Sequence, residues 1–366
     1  MLFRSDLLYR RVGYDLLPSD WRITVIPVDG VDGSVAEQWR ITAQDGLAKR
    51  RAKATVRVAS ESQLRTWLAD LAANRRPAKP GSVILLLLPQ KQDPPTSSAA
   101  ALMESLDAAG IPWRRAYATD PFPHSVPGQL PSLLMAGGGR PCRVVPCPGR
   151  EDVWVVGIDS SRRADHQIVA MTLVSPSGEL CGAWTIRQRR DETVAPASQR
   201  LLVKACEARL NEVAGASVPV LCLRDGRVFE NEDERTYIDG LGGQVSLVEC
   251  RKSAVPQVIR TGETWADSGG PAVFQLPQTN TLFVATAAPR LDADLASPLK
   301  VSWSTKTNRL GLTATEISRL LIAHAAAPGL GTEAHHLPSA LYWADGISGA
   351  SDTDLRFRGQ QVVRLG

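Results

Sequence analysis

No stretch of this chain is apolar enough to cross a bilayer. Its longest pure apolar run, Val83 to Leu88, falls far short of the about 20 residues a spanning helix needs. The first residues carry Arg4 and Asp6 and lack an apolar h-region, so no secretory signal is expected. The six cysteines (Cys142, Cys147, Cys181, Cys206, Cys222 and Cys250) form no CxxC pair, and Cys206 and Cys222 sit in apolar surroundings, as buried free thiols do. The expectation is a cytoplasmic protein with reduced cysteines. Gly137-Gly138-Gly139 has no trailing Lys-Ser/Thr, which excludes a P-loop and leaves a turn. His324, His335 and His336 find no fourth ligand at finger-like spacing, which speaks against structural zinc. There are no internal repeats.

What remains is an ordinary globular composition, 43% apolar and 22% charged over 366 residues, enough for two or three domains. The net charge of +4 is unevenly placed. Residues 1–150 hold 20 Lys and Arg against 13 Asp and Glu, whereas residues 151–366 hold 22 against 25. A basic half beside an acidic one suits a polyanion gripped by the first and cations held by the second.

In the first half, Trp21–Val28, Gln38–Thr42 and Ala54–Ala59 read as strands, with Asp45-Gly46 as a turn between them, an N-terminal β-rich segment. Ser60 is a good N-cap for an amphipathic helix over Gln63–Ala73. Ser82–Leu88 reads as a strand buried on both faces, followed by a helix at about Ala99–Ala109, a strand Trp113–Tyr117, a helix at about Gly128–Met135 and a strand Cys142–Val145. This alternation predicts a Rossmann-like parallel α/β unit, with a break near Pro146–Asp152. In the second half, Val153–Asp159, Gln167–Val174 and Leu180–Arg187 read as a three-stranded meander. A helix over Thr193–Glu212 and a strand over Val218–Leu223 follow, then a strand Val245–Cys250, a hairpin at Phe274–Ala285 and two late helices.

Four carboxylates punctuate that second half: Asp159 at the end of the first strand, Glu192, Asp225 at the end of the fourth strand, and Asp345 in the last helix. Phosphoryl transfer with two divalent ions needs such a set, because the metals clamp both attacking and leaving oxygens. Each acid also has a plain structural reading. Asp159 precedes two serines as a turn cap does, and Asp225-Gly226 is a common tight turn. Glu192 suits a solvated helix entry, and Asp345 a helix dipole; Glu179 competes for the role of Glu192. The order of strands, helix, strand and acids resembles the ribonuclease H fold.

The segments Ala136-Gly137-Gly138-Gly139-Arg140-Pro141, Val155–Asp159, Arg189–Glu192, Leu223–Arg227, Glu249–Lys252, Pro298–Val301 and Leu341–Asp345 occur in an order similar to that of the PIWI module of Argonaute proteins. What precedes them looks like the MID domain of that family. The resemblance implies a MID-like domain over 1–148 and a ribonuclease H-like PIWI domain over 149–366, the short prokaryotic architecture. It implies a catalytic tetrad of Asp159, Glu192, Asp225 and Asp345, with Asp159, Asp225 and Asp345 holding Mg²⁺ or Mn²⁺. The implied partners are a short guide DNA or RNA and its complementary target strand, in defence against invading DNA, with no membrane.

The residues of the family's 5′-end pocket are not matched: the corresponding helix, Ala99–Leu106, has no lysine. Lys91, Arg114 and Arg115, with backbone N–H groups near Ser97-Ser98, are the substitutes on offer for a phosphate, or else solvated surface cations. Arg251 and Lys252 stand either as contacts to the guide backbone or as a solvated strand end. Short members of the family typically lack the full tetrad and work beside a separate effector protein, so the resemblance implies a partner effector or an additional subunit. The expectations are therefore a guide-dependent endonuclease, a non-cleaving guide-loaded sensor that activates a partner, or a ribonuclease H-fold nuclease acting without a guide.

Overall fold

The computed structural model describes residues 16–74, 81–90, 96–120, 122–139, 144, 147–190, 193–228, 232–252, 255, 272–276, 278–286, 298–325, 337–350, 356–357 and 360–365. They form two compact units, one built on residues up to Cys142 and the other largely on residues from Arg143 onward.

The first unit is a parallel sheet of β1 (Arg22–Pro27), β2 (Thr55–Val58), β3 (Ser82–Leu88) and β4 (Trp113–Tyr117) in the order β2-β1-β3-β4. Helices α1 (Gly33–Lys49), α2 (Glu61–Asn74), α3 (Ser97–Ala108) and α4 (Phe122–Ala136) connect and follow the strands. The continuous apolar run of β3 follows from helices on both faces. Val83, Leu85 and Leu87 pack with Trp39 and Leu47 of α1 and Leu130 and Leu134 of α4. Ile84, Leu86 and Leu88 pack with Leu64 and Leu68 of α2 and Leu102 and Leu106 of α3. Ser60 caps α2 as its position suggests: its hydroxyl accepts from the Gln63 N–H, and the Gln63 side chain accepts from the Ser60 N–H, a capping box.

Two of the three strands expected at the start form, Trp21–Val28 as β1 and Ala54–Ala59 as β2, but the third does not. Gln38–Thr42 and Asp45-Gly46 lie within α1, because Ala36, Trp39, Ala43, Gly46 and Leu47 recur at helical spacing and are buried together. Gly46 serves close packing, not a turn. A Cβ there would come within 2.9 Å of Leu130 on α4. Apart from Val144, the strand expected at Cys142–Val145 lies outside the described residues.

Among the described residues, the second unit is a nine-stranded sheet in the order Ala272–Gln275, Thr281–Ala285, Leu299–Asn308, Val245–Arg251, Val220–Asp225, Trp154–Arg162, His166–Val174, Leu180–Arg189, Val363–Leu365. The meander β5 (Trp154–Arg162), β6 (His166–Val174) and β7 (Leu180–Arg189) is antiparallel as expected. Strand β8 (Val220–Asp225) runs parallel to β5, and β9 (Val245–Arg251) parallel to β8. Beyond β9 the sheet continues antiparallel through β12 (Leu299–Asn308) and β11 (Thr281–Ala285) to the edge strand β10 (Ala272–Gln275), and the other edge is β15 (Val363–Leu365), parallel to β7; β13 (Arg356–Phe357) and β14 (Gln360–Gln361) pair separately.

Helices α5 (Pro196–Ala214) and α6 (Glu234–Gly240) cover one face of this sheet, where Val156, Ile158 and Cys222 meet Leu202, Cys206, Tyr237 and Ile238. Helix α7 (Ala314–Ala325) precedes α8 (Ser339–Gly349), which lies on the opposite face. There the Thr172 hydroxyl of β6 donates to the Ala340 carbonyl at 2.8 Å. Backbone meets backbone at this crossing, and Gly157 makes it possible. A Cβ at Gly157 would fall 2.3 Å from the Ala340 carbonyl carbon and oxygen. Gly157→Ala is therefore expected to cost at least about 2 kcal/mol, in the range of overpacked cores, read as a lowered urea midpoint with an unchanged m-value.

Candidate active site

Side chains alternate along a strand, so Val156 and Ile158 facing α5 send Asp159 to the α8 face. The same rule on β8 buries Cys222 under α5 and turns Asp225 toward α8, and on β9 it turns Lys252, two residues past Cys250, to that side. The register aligns Ile158 with Arg224 and Asp225 with Cys250, so these residues meet where the parallel strands run out. Helix α8 supplies Asp345 and, one turn later, Ser348.

The Lys252 ammonium sits among three of the four predicted acids. Its Nζ lies 2.6 Å from Asp345 Oδ1, 2.8 Å from Asp225 Oδ2 and 3.7 Å from Asp159 Oδ1. The Ser348 hydroxyl donates to Asp159 Oδ2 at 2.8 Å. Exposure is graded across the cluster: the Asp159 side chain is 7% exposed, that of Lys252 27% and that of Asp345 49%. Burial pushes the Asp159 carboxyl up to about 7, helped by its hydrogen bond to Asp225 and opposed by Lys252 and Ser348. Partial burial disfavours the Lys252 charge, but the Asp159 and Asp225 carboxylates outweigh it and hold the ammonium above the ordinary lysine value.

All three donors are carboxylate oxygens, the set that suits hard divalent cations such as Mg²⁺ or Mn²⁺. The donor chemistry fits a metal, whereas the spacing fits an ammonium: among the described residues no three His, Cys, Asp or Glu side chains are arranged to hold a metal ion.

Glu192 lies outside the described residues, but the chain on either side of it is tied down. The Gln188 side-chain amide donates to the Thr193 carbonyl at 2.8 Å and accepts from the Ala195 N–H at 3.1 Å. The Val194 N–H donates to Glu232 Oε1 at 3.0 Å. Glu232 in turn takes a two-pronged bond from Arg224, Nη2 to Oε1 at 2.9 Å and Nε to Oε2 at 3.2 Å, with both side chains almost fully buried. Arg224 immediately precedes Asp225 and also donates to the Asp225 carbonyl. One buried ion pair thus links the strand that presents Asp225 to the segment just after Glu192. Sequence reasoning missed Glu232 and Ser348; the buried partner of Arg224 was the available signal, since a guanidinium on the core face of β8 requires one.

The remaining basic residues do not join this cluster. Arg251 is half-buried at the end of β9, and alternation sends its side chain to the face opposite Lys252. In the first unit, Arg114 Nε donates to Ser132 Oγ at 2.7 Å and its Nη1 to the Trp113 carbonyl at 3.0 Å, so it braces β4 on α4. Arg115 is exposed, and Lys91 lies outside the described residues. At the start of α3, Thr96 accepts from the Ala99 N–H and donates to Asp29, while the Ser98 hydroxyl donates to Glu61 and accepts from Arg65. Arg65 is a cation at this helix start that the sequence reading passed over.

No family model and no curated protein sequence matches the chain. Solved structures do. The C-terminal lobe of a budding yeast Argonaute superposes with a TM-score of 0.68 at 10% identity, over 92% of this chain and 79% of that one. Kluyveromyces polysporus Argonaute with a guide RNA gives 0.66 at 10% identity, over 92% and 47%. The Argonaute of Aquifex aeolicus gives 0.59 at 13% identity, over 94% and 51%. The chain has an Argonaute fold. It spans about half the length of the two latter Argonaute chains. The expected mixed α/β architecture, a parallel unit and a larger mixed sheet, is what they share with it.

Two measurements bear on this site. Glu232→Ala strands a buried guanidinium and is expected to cost about 3–5 kcal/mol in urea unfolding, whereas the paired Arg224→Met/Glu232→Leu exchange costs much less. A carboxyl whose pKa is raised by folding stays protonated while the unfolded chain has already ionised. Stability in a chelating buffer should therefore fall as pH rises from the ordinary aspartate value of 3.8 to about 7, then level off. Urea midpoints across that range should show the decline in the wild type and a flatter profile in Asp159→Asn.

Proposed function

We propose that this chain is a guide-dependent nucleic-acid endonuclease that cleaves a target strand paired to a short guide. The observation that carries the reading is the convergence of Asp159, Asp225 and Asp345 on one cation in an Argonaute fold. Assembling three acids at one point is costly, and such clusters concentrate at functional sites. Asp159, Asp225 and Asp345 would hold Mg²⁺ or Mn²⁺, and Glu192 would complete the set. The metal, when bound, supplies Lewis acidity to the phosphate and lowers the pKa of the attacking water. The protein's own part is to hold that centre rigidly. Ser348 fixes the Asp159 carboxylate, the crossing of α8 on β5 fixes the level of Asp345, and the Arg224–Glu232 pair fixes the approach to Asp225.

Sequence choice would rest on base pairing, with the protein gripping backbone shape, which needs no base-reading side chains. That fits a site whose described cation is occupied with acids. A role against invading DNA follows if the target is foreign. The structures that support the reading include one in which Kluyveromyces polysporus Argonaute carries a guide RNA. A partner effector or an additional subunit belongs to the same proposal.

One observation favours the second reading, a guide-loaded sensor that does not cut: the acids are closed around Lys252 and present no ready metal cage among the described residues. Labelled target oligonucleotides, offered with 5′-phosphorylated and 5′-hydroxyl guides in Mn²⁺, separate the two. The endonuclease reading expects discrete cleavage of matched target by the wild type, and at least a thousandfold loss in Asp225→Ala. Guide retention without cleavage would turn the assignment to the sensor. Cleavage independent of any guide would leave a plain ribonuclease H-like nuclease.

A further inference from the structure

We infer that Lys252 is an exchangeable internal counter-ion, whose ammonium occupies the acidic cage when no divalent ion is bound and must withdraw for one to enter. This deepens the metal-dependent reading above and rests on it. The argument begins with geometry. The ammonium makes two short contacts, 2.8 Å to Asp225 and 2.6 Å to Asp345, and a longer one of 3.7 Å to Asp159, so one cation already serves all three acids. Three carboxylates around one point repel strongly without such a charge. A divalent ion that approaches the same oxygens is opposed by the ammonium and has to compete with it for them.

The lysine also has the means to leave. Its side chain is 27% exposed, it stands beyond the last residue of β9, and its flexible four-carbon stem lets the head swing to water without moving the strand. Contrast Arg224, one residue before Asp225: its fork is locked two-pronged on Glu232, with side-chain exposures of 3% and 0%. That pair is permanent. Lys252 binds as a point charge at an open rim, and its partner Asp345 is half exposed.

The exchange has a direct consequence for metal affinity. Removing the ammonium removes a competitor, so Lys252→Met should bind Mn²⁺ at least tenfold more tightly than the wild type by titration calorimetry at pH 7.5. Equal or weaker binding by the variant overturns the inference. A test on the wild type alone covers the case in which the variant does not fold. Acetylation of lysines by a soluble active ester, read by peptide mass spectrometry, should be slow at Lys252 in chelator and several-fold faster in saturating Mg²⁺. A rate at Lys252 that Mg²⁺ leaves unchanged sinks the exchange.

The failure of this inference is separable from that of the proposed function. If both proteins bind Mn²⁺ equally, the metal site stands and only the role of Lys252 falls. If neither protein binds Mn²⁺, the metal-dependent reading itself fails, and the exchange with it.

Discussion

Like charges brought to one point need a cation, and the second unit is built so that one is always at hand. Asp159, Asp225 and Asp345 come from two strands and a helix that are distant along the chain, and the Lys252 ammonium is where they meet. The requirement reaches outward through the fold. The level of α8 is set by its approach to β5, which needs Gly157, and that level puts Asp345 and Ser348 over the strand ends. The parallel pairing of β8 between β5 and β9 sets Asp225 beside Asp159 and brings Lys252 to the same side. A sheet with β8 elsewhere would scatter these groups.

Much of this was written in local patterns. The both-face burial of Val83–Leu88, the capping residue Ser60 and the meander through Asp159 each depend on a few neighbouring residues, and each appears in the structure as read. Gln38–Thr42 was misread because alternation over five residues is also compatible with a helix, and only the recurrence from Ala36 to Leu47 decides the period. Gly46 looked like a turn because its real reason, the close approach of Leu130, lies in a different helix. Asp159, Asp225 and Asp345 were legible as candidates because each ends or rides on a recognisable element. The place of Lys252 was not, since a strand-end lysine reads the same whether it faces water or acids. Arg224 on the core face of β8 signals that a buried acid must answer it, but that the acid is Glu232 is set by tertiary contact alone.

The two ion clusters show how one strand separates permanence from exchange. Arg224 and Asp225 are neighbours in sequence, yet strand alternation sends them to opposite faces of the sheet. On the α5 face, Arg224 meets Glu232 in a dry setting with two parallel bonds, where withdrawing either partner would leave an unpaid buried charge. On the α8 face, Asp225 meets a single ammonium in a partly buried cluster that reaches water at Lys252 and Asp345, where one cation can replace another without leaving the acids unpaired. The closed pair holds the strand end and, through the Val194 N–H, the chain just after Glu192. The open cluster is left free to change its cation while the frame around it stays still. A site that has to accept and release an ion needs both properties within a few ångströms, and β8 supplies them with two consecutive residues.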